Sequence, residues 1–245
     1  MTVIAHLSDM HLDGSPLRLR RFHAVLAQLD ELPRVDALVL SGDLADHGEP
    51  AEYAELFGAL PDALPTLVVP GNHDLSAPLL ASLQEHSRPA SLNGVVDLQG
   101  LRLIGLDSHI DRSDEGELGP EAIEFAREQL ADSTVPTVLA LHHPPVPVGH
   151  HVMDRFGLGN GEALASLIRS NENVIGVFTG HVHTALATRF AGVPLIGAPG
   201  IVSTMRLGSR TDPIADPLAM PGLAVHTIEE SIIRTVFHHL SPSAL

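Results

Sequence analysis

The chain has 245 residues, of which 44% are hydrophobic and 18% are charged, so it can bury a substantial core and is not a disordered chain. Thirty acidic residues against fourteen basic ones give a formal net charge of −16, which disfavours nucleic-acid polymers and anionic membrane surfaces as partners. Cysteine is absent, which excludes disulfides and thiolate chemistry. Because the sequence also shows no signal peptide and no long apolar run, we expect a cytoplasmic protein without a membrane anchor.

Short apolar segments alternate with amphipathic ones over the first two thirds of the chain. The predicted strands there are Val3–Leu7, Asp36–Leu40, Thr66–Val69, Val95–Leu98, Leu101–Leu106, Thr137–Leu141 and Val174–Phe178. The predicted helices are the segment in which Leu19, Phe22, Leu26 and Leu29 recur at helical spacing, then Glu52–Leu60, Leu79–His86, Glu121–Leu130 and Gly161–Ile168.

The last third of the chain is rich in strands. These are Ala185–Phe190, Val193–Ile196, Ala224–Ile228 and Ile232–Phe237. Between them, Gly208–Gly222 is a predicted loop that is too short to link two domains, so we expect one domain over residues 1–245. Alternating strands and helices followed by further strands predict an α/β fold, a layered sandwich of two mixed β-sheets flanked by helices.

Polar side chains of metal-binding type follow five of the predicted strands, at the point where each strand ends. The five clusters are Asp9–His11, Gly42–Asp46, Gly71–Asp74, His142–Pro145 and Gly180–His183. Any one of them could be an ordinary turn, but five in phase with strand ends favour a common site. Because ligands of open α/β sheets bind beyond the carboxyl ends of the strands, we expect all five at one edge of one sheet.

The residue types in these clusters are chemically coherent. Imidazole, carboxylate and amide oxygen are ligands that divalent first-row metals accept without any sulfur. Seven such residues are too many for one octahedral ion that must also keep a water. They suit two ions that share a bridging carboxylate.

As an ordered set, D-x-H, G-D-x-x-D, G-N-H-D, a lone H and G-H-x-H resemble the motifs of the calcineurin-like metallophosphoesterases over nearly the whole chain. Residues 42–50, 142–147 and 153–160 are particularly similar to bacterial class III cyclic-nucleotide phosphodiesterases. The resemblance implies the calcineurin-like metallophosphoesterase fold and a dinuclear site. It implies one ion held by Asp9, His11, Asp43 and His183, and a second held by Asp43, Asn72, His142 and His181.

Three further residues of the motifs are interpreted through the resemblance. His142 and His143 both qualify as the lone histidine ligand, and the H-x-P spacing of the relatives selects His142. His73 resembles a catalytic histidine that faces the phosphate, where it would stabilise the equatorial oxygens or protonate the leaving group. Asp46 is the carboxylate expected to orient its ring and to favour the imidazolium.

The implied activity is hydrolysis of small phosphodiesters, with 3′,5′-cyclic AMP and other cyclic nucleotides first, by in-line attack of a metal-activated hydroxide. The implied cofactors are two divalent or mixed-valence ions, Mn²⁺, Fe²⁺/Fe³⁺, Zn²⁺ or Co²⁺, and a homodimer is compatible with the sequence. Alternatives on the same site are a glycerophosphodiesterase and a broad-specificity phosphomonoesterase. A non-catalytic interaction scaffold is disfavoured because no ligand position is lost.

Substrate-contacting residues are less well indicated. His150 and His151 are candidates for the rim of the site, although a solvated loop is an equal alternative. Residues 198–204 occupy the place where the cyclic-nucleotide enzymes carry a cysteine or aromatic residue against the base. Ser203 and Thr204 are present there, but the cysteine is not.

Overall fold

Two β-sheets face each other in the computed structural model, which describes residues 1–131, 134–207 and 213–244. The strands are β1 (Thr2–Leu7), β2 (Ala37–Ser41), β3 (Thr66–Val69), β4 (Gly94–Leu98), β5 (Leu101–Gly105), β6 (Thr137–Ala140), β7 (Val174–Thr179), β8 (Leu186–Phe190), β9 (Val193–Gly197), β10 (Thr204–Met205), β11 (Ala215–Asp216), β12 (Gly222–Glu229) and β13 (Ile232–His239). The helices are α1 (Pro16–Asp30), α2 (Pro50–Ala59), α3 (Ser76–Glu85), α4 (Pro120–Ala131) and α5 (Gly161–Arg169).

Each sheet has a parallel centre with antiparallel strands at its margin. The first sheet has the order β13-β12-β1-β2-β3, in which β1, β2 and β3 run parallel, β12 pairs antiparallel with β1, and β13 pairs antiparallel with β12. The second sheet has the order β4-β5-β6-β7-β9-β8, in which β5, β6, β7 and β9 run parallel. The carboxyl ends of the parallel strands are therefore free to carry the functional loops.

The core consists of three apolar layers. Helices α1 to α3 bury side chains such as Phe22 and Tyr53 on the first sheet, and α4 and α5 bury residues such as Leu164 on the second. Val39 and Phe178 belong to the layer between the sheets. Full burial of one large apolar side chain stabilises the fold by roughly 1.5–3 kcal/mol, so these layers fix the stacking of the sheets. The predicted sandwich of two mixed sheets flanked by helices is confirmed.

The order of the predicted strands and helices is also confirmed, with two additional strands. The short pair β10 and β11 was not predicted, and β11 lies inside the predicted loop Gly208–Gly222, whose residues 208–212 are outside the described part. The prediction that all five polar clusters lie at the edge of one sheet is wrong. Strands β1 to β3 belong to the first sheet and β6 and β7 to the second, so the clusters meet where the two sheets adjoin. Within the described ranges, no helix has the length and apolar character that a membrane span requires.

Candidate metal centre

The seven candidate ligands come from loops that directly follow β1, β2, β3, β6 and β7. Two glycines allow these loops to approach one another. A Cβ at Gly71 would collide with the main-chain nitrogen and carboxylate of Asp43, and a Cβ at Gly180 would stand 2.6 Å from the carbonyl oxygen of Ser41. The glycines of G-N-H-D and G-H-x-H are therefore required by close packing of backbone against backbone.

Five of the seven candidate ligands have left-handed backbone conformations. The φ angles are 54° for Asp9, 46° for His11, 50° for Asp43, 70° for His181 and 51° for His183. For residues other than glycine this conformation costs about 1–3 kcal/mol each and is concentrated at functional sites. The fold thus accepts local strain in order to turn these side chains towards a common point.

The first donor set consists of Asp9, His11, Asp43 and His183. Each offers one atom, and the four atoms lie within 4.8 Å of one another. The Nε2 atoms of His11 and His183 are 3.2 Å apart, and His11 Nε2 is 3.2 Å from Asp43 Oδ2. Asp9 Oδ1 is 3.5 Å from His183 Nε2, so all four side chains converge.

The second donor set consists of Asn72, His142 and His181, again with Asp43. The amide oxygen of Asn72 is 3.1 Å from His142 Nε2 and 2.9 Å from His181 Nδ1. Asp43 Oδ1 is 3.4 Å from the same His142 nitrogen. The two oxygens of the Asp43 carboxylate therefore face one donor set each, which is the arrangement of a bridging ligand.

The residues of both sets fit metal ions. All donors are nitrogen or oxygen atoms, as first-row divalent metals accept. Asp9 is fully buried, and its Oδ2 atom has no hydrogen-bond partner among the described residues. A buried carboxylate oxygen without a donor is costly unless a cation meets it.

The charges of the two sets are strongly coupled. Burial alone would lower the pKa of His11 and of His142, but Asp43 and the neighbouring acceptors, chiefly Asp46 for His11 and Asp9 for His142, together outweigh it and raise the two pKa values to about 10 and about 9. Burial would likewise raise the pKa of Asp43, yet His142 and His11 hold it well below its usual range. Burial, with Asp43 adding to it, raises the pKa of Asp9 to about 6. In the absence of metal, the imidazolium rings of His11 and His142 provide the positive charge of the centre.

The structure gives Asp46 a different principal partner from the one expected. Its Oδ1 atom is 2.9 Å from His11 Nδ1 and 2.7 Å from a guanidinium nitrogen of Arg18, but 3.8 Å from His73 Nδ1. The His73 ring instead has its Nδ1 2.9 Å from the main-chain oxygen of Asp46. The carboxylate thus chiefly orients the candidate ligand His11, because the ring of His11 lies between it and Asp43.

Other ligand rings are held by groups that the sequence did not indicate. His142 Nδ1 lies 2.6 Å from the carbonyl oxygen of Ser41, and His183 Nδ1 lies 2.7 Å from the hydroxyl of Ser203. A carbonyl oxygen only accepts, so Nδ1 of His142 carries the proton and its Nε2 is free for a metal, while the Ser203 hydroxyl holds the ring of His183 in place. Asp74 is fully buried and accepts hydrogen bonds from the main-chain nitrogens of Gly71, Leu44 and Ala45. It ties the loops after β2 and β3 together.

The remaining histidines of interest lie behind or beside the centre. His143 is buried, with its Nδ1 2.9 Å from the hydroxyl of Ser108, while His142 is the ring that reaches Asn72 and Asp43. This geometry favours His142 as the ligand. His150 is buried and accepts from the main-chain nitrogen of Met153 at 3.2 Å, so it caps a short turn rather than rimming the site.

Five of the seven candidate ligands line a cleft. Its described lining residues are His11, Asp43, Asn72, His73, Asp114, Val152, Met153, Phe156, His181, His183 and Ile214. The cleft therefore combines polar residues, which include the donors, with an apolar wall formed by Val152, Met153, Phe156 and Ile214. His73 is the exposed histidine among these polar residues, and it adjoins His11 with a distance of 4.4 Å between ring centroids.

Sequence comparison relates this site to known enzymes. A profile of the calcineurin-like phosphoesterase family matches residues 2–185, which include all seven candidate ligands. A cAMP/cGMP dual specificity phosphodiesterase from Mycobacterium tuberculosis is 34% identical over 220 residues, covering 84% of this chain and 69% of the relative. A glycerophosphodiester phosphodiesterase from Enterobacter lignolyticus is 32% identical over 217 residues, covering 82% of this chain and 77% of the relative.

Structural comparison gives the same result for the fold. A dimetal phosphatase from Danio rerio superimposes with a TM-score of 0.65 at 15% identity, covering 98% of this chain and 99% of that one. A purple acid phosphatase from yellow lupin (Lupinus luteus) seeds gives a TM-score of 0.68 at 16% identity, covering 97% of this chain and 51% of that one. At such low identity these two similarities concern the fold alone.

Proposed function

The chain belongs to the calcineurin-like phosphoesterase family. We propose that it is a metal-dependent phosphodiesterase that hydrolyses cyclic nucleotides and prefers 3′,5′-cyclic AMP. The observation that carries the proposal is the Asp43 carboxylate, whose two oxygens face two complete donor sets. The similarity to a cAMP/cGMP dual specificity phosphodiesterase supports the choice of substrate.

Two metal ions would be held by Asp9, His11, Asp43 and His183 on one side and by Asp43, Asn72, His142 and His181 on the other. When bound, they supply a water of lowered pKa and electrophilic contacts to the phosphate oxygens. Mn²⁺, Fe²⁺/Fe³⁺, Zn²⁺ and Co²⁺ all suit nitrogen and oxygen donors. Within the chain, the main-chain nitrogen of His73 donates to Asp43 Oδ1 at 2.9 Å and so helps to hold the bridging carboxylate in place.

His73 is the proposed catalytic acid. Its Nδ1–H donates to the carbonyl oxygen of Asp46, which leaves Nε2 as the ring atom that can meet the substrate. In the protonated ring, Nε2–H would donate to the ester oxygen that departs from phosphorus. Hydrolysis then adds water across one P–O bond, and the proton from His73 neutralises the alkoxide that forms when this bond breaks.

The apolar wall of the cleft supports a substrate with an organic group larger than glycerol. Val152, Met153, Phe156 and Ile214 line the cleft beside the donor sets. An aromatic side chain such as Phe156 offers a surface on which a nucleobase can stack. A glycerophosphodiesterase is the second candidate, favoured by the 32% identity to an enzyme of that name.

A substrate panel tests the proposal. The Mn²⁺-loaded protein should hydrolyse 3′,5′-cyclic AMP with a higher kcat/KM than 2′,3′-cyclic AMP, glycerophosphodiesters or p-nitrophenyl phosphate, with bis-p-nitrophenyl phosphate as the general diester. A chelator should abolish the activity, and added Mn²⁺, Co²⁺ or Zn²⁺ should restore it. Preference for glycerophosphodiesters would select the second candidate. Full activity in a protein shown to be free of metal would contradict both.

The remaining expectations concern the whole protein. A single domain over residues 1–245 is supported by the C-terminal strands, because β12 pairs with β1 and β13 pairs with β12, which joins the C-terminal segment to the first sheet. A cytoplasmic location, a homodimer and the lack of a nucleic-acid partner stay predictions. The acidic net charge of −16 supports the last of these.

A further inference from the structure

One charged side chain of the cleft has no role in the two donor sets. Asp114 lies on the loop between β5 and α4, and it lines the cleft together with Asn72 and His73. It is an exposed acidic residue. A negative charge in a cleft that receives a phosphate repels the substrate.

The position of Asp114 is defined by contacts on both sides of it. On one side, Asp111 accepts hydrogen bonds from the main-chain nitrogen and the hydroxyl of Ser76, at 3.0 and 2.8 Å. On the other side, the carbonyl oxygen of Gly116 accepts from the main-chain nitrogen of Gly159 at 2.7 Å. The loop is therefore anchored to α3 and to the segment that carries the apolar wall, which holds the carboxylate at the cleft.

Asp114 also contacts a candidate ligand. Its Oδ1 atom accepts from the Nδ2 amide group of Asn72 at 3.5 Å, a long hydrogen bond. The amide can be oriented in two ways, and this contact selects the one in which Oδ1 faces His142 and His181. Asp114 is thus placed to position the amide oxygen of Asn72 towards the second donor set.

The described lining of the cleft contains no arginine, and this bears on the charge of the substrate. Every basic residue of the chain other than histidine is an arginine, and none belongs to the described lining of the cleft. Arginine is the residue that commonly recognises the additional oxygens of a phosphate dianion. A phosphomonoester carries a charge near −2 at neutral pH, since its second pKa is about 6, whereas a diester carries −1. Asp114 therefore repels the monoester more strongly than the diester.

We propose that Asp114 is a specificity-determining residue that disfavours phosphomonoesters and so directs the site to diesters, while it positions Asn72. This inference rests on the proposed phosphodiesterase function. It also has a consequence for turnover, because the product of diester hydrolysis is a monoester. The same charge favours release of that product.

The variant Asp114→Asn tests the charge, because an asparagine oxygen can still accept from Asn72. The matched control is Glu115→Gln, which removes one negative charge from an exposed neighbour that is not among the cleft residues. We expect Asp114→Asn to raise the ratio of kcat/KM for p-nitrophenyl phosphate to that for bis-p-nitrophenyl phosphate by about three- to tenfold at low salt. The change should shrink at high salt, and Glu115→Gln should leave the ratio unaltered.

Binding gives a second measurement that does not depend on turnover. Inorganic phosphate should bind the Mn²⁺-loaded Asp114→Asn protein about three- to tenfold more tightly than the wild type, while dimethyl phosphate, which carries one charge, should gain less. The positioning role is tested by calorimetric titration of the metal-free proteins with Mn²⁺. Asp114→Ala should weaken the second ion, and Asp114→Asn should do so less.

The outcomes separate this inference from the function on which it rests. If the wild type prefers monoesters, the proposed function fails, and the phosphate titration still shows whether Asp114 acts on dianions. If Asp114→Asn and Glu115→Gln give the same substrate ratio and the same phosphate affinity as the wild type, Asp114 does not determine specificity. Equal Mn²⁺ titrations of wild type and Asp114→Ala would remove the positioning role.

Discussion

The two halves of the metal centre are supported in different ways. In the first half, side chains orient the ligands, since Asp46 contacts His11 and Ser203 contacts His183. In the second half, the main-chain carbonyl of Ser41 orients His142. The first half also contains two carboxylates, whereas the second adds only the neutral amide of Asn72 to the shared Asp43.

This difference predicts unequal binding of the two ions. Anionic ligands raise the affinity of a site for a cation, and a charged carboxylate behind a histidine raises the basicity of its ring. We therefore expect the first half to bind its ion more tightly. The second half, whose amide ligand is half-buried and contacts Asp114, is the part that is more readily altered.

The largest effect should come from a residue that belongs to neither half. His73→Ala should keep both metals and lose about 10²–10⁴ in rate, the scale of a general acid. The loss should be smaller for p-nitrophenyl esters, whose leaving group needs little protonation. Metal content by elemental analysis and kcat for both ester types check this. His47→Ala is the control, because His47 is an exposed histidine next to Asp46 that is not among the cleft residues. Loss of one metal in His73→Ala would make His73 a ligand.

The next largest effect is expected in the second half. Asn72→Ala should weaken the second ion by about 10²-fold or more while the first ion stays bound, because the four residues of the first set are intact. Calorimetric titration of the metal-free variant should show one tight site and one weakened site. Wild-type stoichiometry and turnover would leave Asn72 as a turn residue only.

A smaller effect is expected in the first half, where a substitution should weaken the first ion and spare the second. Asp46→Asn should weaken the first ion by about 10- to 100-fold through His11, and leave the second nearly unchanged. The same titration distinguishes the two sites when the variant is compared with Asn72→Ala. If Asp46→Asn keeps both metals and instead shows the dependence on leaving group expected for His73→Ala, the carboxylate acts through His73.

The smallest effect concerns the protons that are released when metal binds. We expect the two halves to release the same number. Without metal, the pKa values of His11 and His142, raised to about 10 and about 9, leave both rings protonated at pH 7.5. Metal binding requires neutral rings, so about one proton should leave each half. Affinity should accordingly rise with pH up to about 9–10 and fall as the pH is lowered. Titrations in buffers of different ionisation enthalpy count the protons. A release close to zero would contradict the proposed charge state.

Much of the fold followed from local sequence pattern. Strands such as Val3–Leu7 and Thr66–Val69 are short apolar runs between turn residues, and α5 repeats its apolar residues at helical spacing. These signals depend on neighbours in the chain. The assignment of strands to two sheets did not follow, because pairing of β1 with β12 or of β7 with β9 depends on contacts between distant segments.

The candidate site shows the same division. The order and composition of the five clusters were readable in the sequence, because each needs only its own residues and its place after a strand. The partners of those residues were decided by the tertiary structure. Asp46 contacts the ring of His11 rather than that of His73, and Ser203 contacts His183. Asp114 contacts Asn72, although 42 positions separate them in the sequence. These hydrogen bonds depend on how loops from the two sheets pack together, and a local sequence pattern does not predict that packing.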